Sequence, residues 1–273
     1  MKVGIIGSGA MAQGMISGLV RTDKVAPEDI TASGPRPERG QELREAFGVR
    51  VTTDNREAAT GAQVVVLSVK PQVAHHALTE IRDAVDPGAL ILSIAAGIPM
   101  KTIAETAGRD AVVRCMPNSP AQIGHGITVW THTPQVTPEQ LDQTRIILDA
   151  LGDEVIVQDE TYLDMATALS GSGPAYVFLF MQALVDAGVH LGFSRHLAEK
   201  LVIKTLEGSL AFYAHEGSHL SRLSDQVTSP GGTSAEALYY LEKARFRASI
   251  SRAVWAAYEK SVALGRDQGR LHE

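Results

Sequence analysis

The chain has 273 residues, 44% of them hydrophobic and 21% charged, which excludes wholesale disorder and allows one large core or two ordinary domains. Its formal charge of −6 argues against a broad electrostatic surface for nucleic acid or an anionic membrane, so neither is expected as a partner. The single cysteine, Cys115, excludes an intrachain disulfide and a Cys-based zinc site and suits a reducing compartment. The first residues are apolar but broken by glycines, without the charged region and cleavage site of a signal peptide, so a cytoplasmic protein is expected. No uninterrupted apolar run approaches the roughly 20 residues of a membrane span. The most apolar stretch, 176–185, reads as a buried helix.

In chain order, β-rich runs are predicted at 3–6, 30–32, 64–69, 90–94 and 112–115. Helical spacing falls between them at 10–20, 72–85 and 100–107. The run 64–69 is continuously apolar, as expected of a strand covered on both faces. Strand and helix in alternation predict a doubly wound, mostly parallel sheet, an α/β unit. A last short strand is expected at 154–157, and from 160 to 264 no strand is evident. Apolar residues there recur at helical intervals, as in Leu197, Leu201, Val202 and Leu206. The predicted division is an α/β domain over 1–158 and an all-α domain over 159–273, with no flexible linker between them.

Gly7-Ser8-Gly9-Ala10-Met11-Ala12 follows the first strand and opens the first helix, matching G-x-G-x-x-A. The first glycine permits a tight turn and the second a close backbone approach to a pyrophosphate, while the third small residue lets helix and strand pack. Free N–H groups at the helix start then face the anion. The context is that of a dinucleotide-binding Rossmann domain. The second strand ends Ala32-Ser33-Gly34-Pro35-Arg36 with no acid to hold a ribose 2′-hydroxyl. Arg36 and Arg39 lie just beyond it and suit a 2′-phosphate, which favours NADPH with NADH possible. Solvated loop charges are the alternative reading of both arginines.

Six blocks in order resemble the pyrroline-5-carboxylate reductase family. They are Gly7 to Ala12, Ser68-Val69-Lys70-Pro71, Ala95-Ala96-Gly97, Arg114-Cys115-Met116-Pro117-Asn118, Ser170-Gly171-Ser172-Gly173-Pro174-Ala175-Tyr176, and Val227-Thr228-Ser229-Pro230-Gly231-Gly232-Thr233-Ser234. The resemblance spans essentially the whole chain, and its last two blocks are the most specific. It implies NADPH-dependent reduction of the cyclic imine 1-pyrroline-5-carboxylate to L-proline, the last step of proline biosynthesis. It also implies a helical domain that forms a homodimer or a higher homo-oligomer. By position, Gly7, Ser8, Gly9, Ala10 and Met11 meet the pyrophosphate, and Ser33, Arg36 and Asn55 surround the adenosine ribose. Val69, Lys70 and Ala96 flank the nicotinamide end. Ser234 is the catalytic hydroxyl at the imine nitrogen, and Gln226, Gly231, Gly232 and Thr233 complete the substrate site. Ser234 departs from the family's usual threonine, and Gln226 from a frequent asparagine.

The residues near the last block support the same chemistry. Thr233-Ser234-Ala235-Glu236 matches a capping box ahead of a helix expected over 235–241. Its open N–H groups and positive dipole end suit a small carboxylate. Ser170 to Pro174 is expected to interrupt a long helix, as a kink that lets helices approach. The histidines show no metal spacing, and no metal is expected. His75, His76, His190, His196, His215 and His219 read as surface residues, and Cys115 as a buried, unreactive thiol. A β-hydroxyacid dehydrogenase is a rival reading, weakened because no lysine lies between Tyr162 and Glu199. A non-catalytic NADPH-binding protein is another.

Overall fold

The computed structural model describes residues 1–270, with side chains through 265. Eight strands are found among them: β1 Val3–Ile6, β2 Ile30–Ser33, β3 Arg50–Thr52, β4 Val64–Leu67, β5 Leu90–Ser93, β6 Val112–Met116, β7 Gly126–His132 and β8 Gly152–Ile156. They form one sheet in the order β3-β2-β1-β4-β5-β6-β7-β8. Every pairing is parallel except β6 with β7, where Val113 faces His132. The helices of this part are α1 Ala10–Arg21, α2 Pro37–Phe47, α3 Asn55–Ala59, α4 Pro71–Ile81, α5 Met100–Ala107 and α6 Pro138–Asp149.

Two cores lie on the two faces of the sheet. Along β4, Val64 and Val66 join Met15, Ile16 and Leu19 of α1 and Ile147 and Leu148 of α6. Val65 and Leu67 point the other way, toward Ala74, Leu78 and Ile81 of α4 and Ile103 of α5. This two-sided burial explains why the strand is apolar at every position rather than at every second one. The strands β3 and β7 were not expected from the sequence. The first is three residues long, and the second alternates Ile127 and Val129 with buried Thr128 and Trp130.

Beyond β8 the described chain is helical: α7 Tyr162–Ala166, α8 Gly173–His190, α9 Arg195–Glu216, α10 Leu220–Gln226, α11 Thr233–Lys243 and α12 Phe246–Arg270. The chain divides into two compact units, one of Met1–Pro174 with the chain from Ala257 on, the other Ala175–Ala256. By compactness, α7 and the end of α12 go with the sheet.

One expectation holds in altered form and another is corrected. The segment Ser170–Pro174 interrupts the α-helical bonding between α7 and α8 by a wider turn rather than by a loop. Thr167–Gly171 forms a π-helical turn, closed by Ser172 N–H donating to the Thr167 carbonyl at 2.8 Å. Pro174 then falls in the first turn of α8, where no N–H is needed. The stretch 176–185 is not a buried helix within this chain. Of α8 only Val185 is buried, and Phe178 and Leu179 are 63% and 69% exposed. The helical run Tyr162–His190 is by length and composition alone apolar enough to cross a membrane, although polar and small residues interrupt it. Beyond Gly173 most of its apolar side chains are left uncovered by their own chain.

Gly14 and Gly18 of α1 mark close approaches. A Cβ on Gly18 would lie 2.2 Å from the Ala150 carbonyl oxygen, and one on Gly14 2.5 Å from the Gln122 Cα. A helix-interior glycine replaced by alanine ordinarily gains about 1 kcal/mol. Backbone overlap reverses the sign here. We expect Gly18→Ala to destabilise the protein by about 1–3 kcal/mol in urea unfolding.

Candidate active site

At Gly7, the end of β1, the backbone takes φ +106°, a conformation open to glycine. A Cβ there would fall 2.3 Å from the Ser68 carbonyl oxygen and 2.9 Å from Val69 Cγ1. Gly7 N–H donates to the Ser33 carbonyl at 3.0 Å, and Ser68 N–H to the Ile6 carbonyl at 2.8 Å. Ser8 lies against Gly34, whose Cβ would meet Ser8 Oγ at 2.1 Å. The carboxyl ends of β1, β2 and β4 are thus drawn together around the turn.

Gly9 is the N-cap of α1, with extended backbone and no capping side chain. A Cβ on it would touch nothing within 4 Å, so the space before the helix is open. The N–H groups of the first helical turn, beginning at Ala10 and Met11, have no acceptor within the helix. An anion placed there meets bare donors and a positive dipole end, so the cradle fits a pyrophosphate.

At the end of β2, Ser33 is fully buried, and its hydroxyl donates to Asn55 Oδ1 at 2.7 Å. Asn55 opens α3 and donates through Nδ2 to Glu80 Oε2 at 2.6 Å. Arg36, the N-cap of α2, is exposed; its carbonyl accepts from Gly40 N–H at 3.3 Å, while its guanidinium makes no hydrogen bond or ion pair among the described residues. Arg39 is held at 3.4 Å by Glu42. Of the two, Arg36 is the free guanidinium. A 200 Å³ hollow lined by Arg36, Arg44, Thr52 and Thr53 adjoins it. Lys70 is exposed at the N-cap of α4, with the extended backbone that Pro71 imposes. Ala96 lies half-buried in the loop after β5.

The second compact unit gathers the other predicted residues in one turn. Gln226 is exposed at the end of α10. Gly232 N–H donates to the Ser229 carbonyl at 3.0 Å, and Gly231 takes φ +71°. The capping-box expectation is corrected: α11 begins at Thr233, its N-cap is Gly232, and no side chain caps it. Thr233 is therefore the first helical residue. Glycine tolerates the extended N-cap conformation, and it leaves the first N–H groups uncovered. Ser234, half-buried, is the second residue of the helix.

Burial pushes the Cys115 thiol above its ordinary range, and its Sγ donates to the Ser93 carbonyl at 3.4 Å. His75, His76, His190, His196, His215 and His219 are all exposed. A hollow of 570 Å³ lies instead at the amino ends of β4, β5 and β6, lined by Gln63, Gly88, Arg109 and Gln140 among others. Its polar groups are occupied internally: Arg109 Nε donates to the Asp86 carbonyl and Gln140 Nε2 to that of Gly88. Ligands of such sheets bind at the carboxyl ends, so the hollow is not the site.

The family described as pyrroline-5-carboxylate reductase dimerisation matches residues 160–264, and that described as NADP oxidoreductase, coenzyme F420-dependent, matches residues 2–97. The pyrroline-5-carboxylate reductase of a Synechocystis strain is 39% identical over 97% of this chain and 99% of its own. That of Arabidopsis thaliana is 37% identical over 97% and 96%. The chain belongs to the pyrroline-5-carboxylate reductase family. In structure it is similar to a Plasmodium falciparum pyrroline carboxylate reductase with NADP bound, at 32% identity and a TM-score of 0.88 over 97% of this chain and 98% of that one. The family match gives the exposed helices a context, since the described residues of α7 through α11 fall inside the dimerisation segment.

Proposed function

We propose that this chain reduces 1-pyrroline-5-carboxylate to L-proline with NADPH, working as a cytoplasmic homodimer or larger homo-oligomer. The observation that carries this reading is the 39% identity to a named pyrroline-5-carboxylate reductase along 97% of the chain. Residues 1–158 serve the cofactor, and 159–273 serve substrate and assembly.

The open helix start at Gly9, Ala10 and Met11 receives the pyrophosphate, with Gly7 and Ser8 shaping the turn. Arg36 pairs with the 2′-phosphate, while Ser33 and Asn55, bonded to each other, set the floor beneath the ribose. Val69, Lys70 and Ala96 flank the nicotinamide, and bound NADPH supplies the hydride. The uncapped start of α11, with Gly231 and Gly232 beside it and Thr233 leading it, holds the substrate carboxylate. Ser234 hydrogen-bonds the imine nitrogen, and Gln226 lends an amide nearby. A serine hydroxyl is a poor acid at neutral pH, so its role is orientation, with the proton arriving on the substrate or through water.

Cofactor choice follows from Arg36. Its pairing with a 2′-phosphate contributes about 1.5–3 kcal/mol. Arg36→Asp is expected to reverse or erase a preference for NADPH over NADH. Equal kcat/KM with the two cofactors in the unaltered protein counts against the assignment.

Assembly follows from the uncovered apolar helices. Light scattering at micromolar concentration is expected to give a dimer or a multiple of it, built through residues beyond 160. A fully active monomer refutes this.

The Ser234 hydroxyl is expected to act mostly in the transition state, because the nitrogen becomes more basic as hydride reaches carbon. Losing one such bond costs about 1–3 kcal/mol, or roughly ten- to a hundredfold in rate. Ser234→Ala should lower kcat/KM for pyrroline-5-carboxylate by that factor while NADPH affinity stays nearly unchanged, and Ser234→Thr should retain activity. Since Thr233 caps nothing, Thr233→Ala should leave stability within about 0.5 kcal/mol. Full activity in Ser234→Ala means that the hydroxyl is wrongly assigned.

A further inference from the structure

Among the described residues, one charged side chain is buried: Arg114, on β6. Its Nη1 lies 2.7 Å from Glu160 Oε1, and its Nη2 lies 3.9 Å from Asp164 Oδ1. Glu160 does a second thing with the same oxygen. It accepts the backbone N–H of Met100 at 2.8 Å. Met100 is the first residue of α5, and the N-cap of that helix is Pro99, which has no side-chain acceptor to offer. A carboxylate sixty residues away therefore takes the place of the missing cap at the positive end of the helix.

The segment held in this way is the loop that carries Ala96. Its near end is fixed to the sheet, where Ile94 N–H donates to the Leu67 carbonyl and Ala95 N–H to Ser93 Oγ. Its far end is fixed by Glu160. Between them Gly97 adopts φ +74° against the last helix, with Gly265 N 3.3 Å from where a Cβ would stand. That helix is tied to α7 in turn, because Ser261 Oγ donates to Asp164 Oδ1 at 2.7 Å.

A buried ion pair is poor evidence of stabilisation, since well-packed apolar residues of similar volume often serve stability as well or better. The bond from Glu160 to Met100 N–H is a different matter, because no apolar residue reproduces it. We propose that Glu160, oriented by Arg114, is a positioning residue for hydride transfer: it fixes the Ala96 loop by capping the helix that follows. This rests on the reading that Ala96 flanks the nicotinamide. A displacement of about 1 Å in such a wall is enough to cost up to a hundredfold in rate.

The test uses the full chain with NADPH and pyrroline-5-carboxylate. It reads kcat, KM for both substrates and the primary deuterium isotope effect from NADPH labelled at the transferred position. Glu160→Ala is expected to lower kcat about ten- to a hundredfold, with KM for both substrates little changed and a larger isotope effect. Glu160→Gln, which keeps an acceptor for Met100 N–H, should recover most of the loss. Glu160→Ala leaves the buried guanidinium only Asp164, 3.9 Å from its Nη2, and can unfold the protein for that reason alone. The double variant Arg114→Met/Glu160→Leu removes that charge while still lacking the cap, and its kcat decides. A loss of fivefold or more with KM held supports the proposal. A smaller loss, or one confined to KM, overturns it. If the unaltered protein does not turn over pyrroline-5-carboxylate, the functional reading falls and this inference with it. Turnover in the unaltered protein with unaffected variants removes the inference alone.

Discussion

At the carboxyl end of β1 the backbone comes tightly against the chain leaving β4, where the α carbon of Gly7 faces the Ser68 carbonyl. A methyl group there would stand 2.3 Å from that oxygen. Because the chain turns at that point without a side chain, β1 can end against β4 and α1 can start immediately above the sheet. The strand order reverses direction here, with β2 and β3 to one side of β1 and β4 onward to the other. A crevice at such a switch point is where open α/β sheets bind ligands. Gly9, Lys70 and Arg36 are arranged around it because their strands end there. Any residue other than glycine at position 7 would separate the strand ends and, with them, the proposed pyrophosphate and nicotinamide positions.

A second constraint acts in the other half of the chain and has the opposite character. Helices α8 through α11 bury very few side chains of their own, while Phe178, Leu179 and Leu210 remain mostly exposed. So large an apolar surface is unusual on a monomer and marks an interaction site. Helices α8 and α9 carry apolar residues on more than one face. That is the pattern of a helix buried from several sides. The polar turn from Ser229 to Ser234 then stands out within this unit as a place where backbone donors are left free.

What could be read from the sequence follows from how local each signal is. The strands β1, β4 and β5 were legible because burial on both faces makes each of them a continuous apolar run. β7 was not, although Ile127, Val129 and Trp130 carry a strand composition. It pairs antiparallel with β6, outside the alternation of parallel strand and helix by which the other strands are read. β3 is too short to show a period at all. The start of α11 was misplaced by two residues because Thr233 and Glu236 match a capping box in type and spacing. The glycine before them takes the N-cap instead, which the pattern of side chains does not record. In the sheet half the glycine turn, Arg36 and Lys70 were named as candidates through their motifs. Glu160 was not, since it belongs to no local pattern and meets Arg114 and Met100 from 46 and 60 residues away.

That contrast says something about how the site is held. The residues named from the sequence are those proposed to present backbone or charge to a ligand, and a ligand of fixed shape demands fixed spacing along the chain. The residues that hold these in place need only be near in space. Arg114 and Glu160 illustrate this: they sit on β6 and just before α7, and they act on a loop after β5. A side chain in such a role is constrained in its chemistry, since Glu160 must accept two donors at once, but it is free in its position along the chain. The buried Arg114 has a matching logic. With its guanidinium 6% exposed, it depends on Glu160 as much as Glu160 depends on it. Replacing either one alone disturbs both the charge balance beside β6 and the cap of α5. Replacing both relieves the first disturbance and leaves the second, which separates what the pair does for the fold from what it does for the loop.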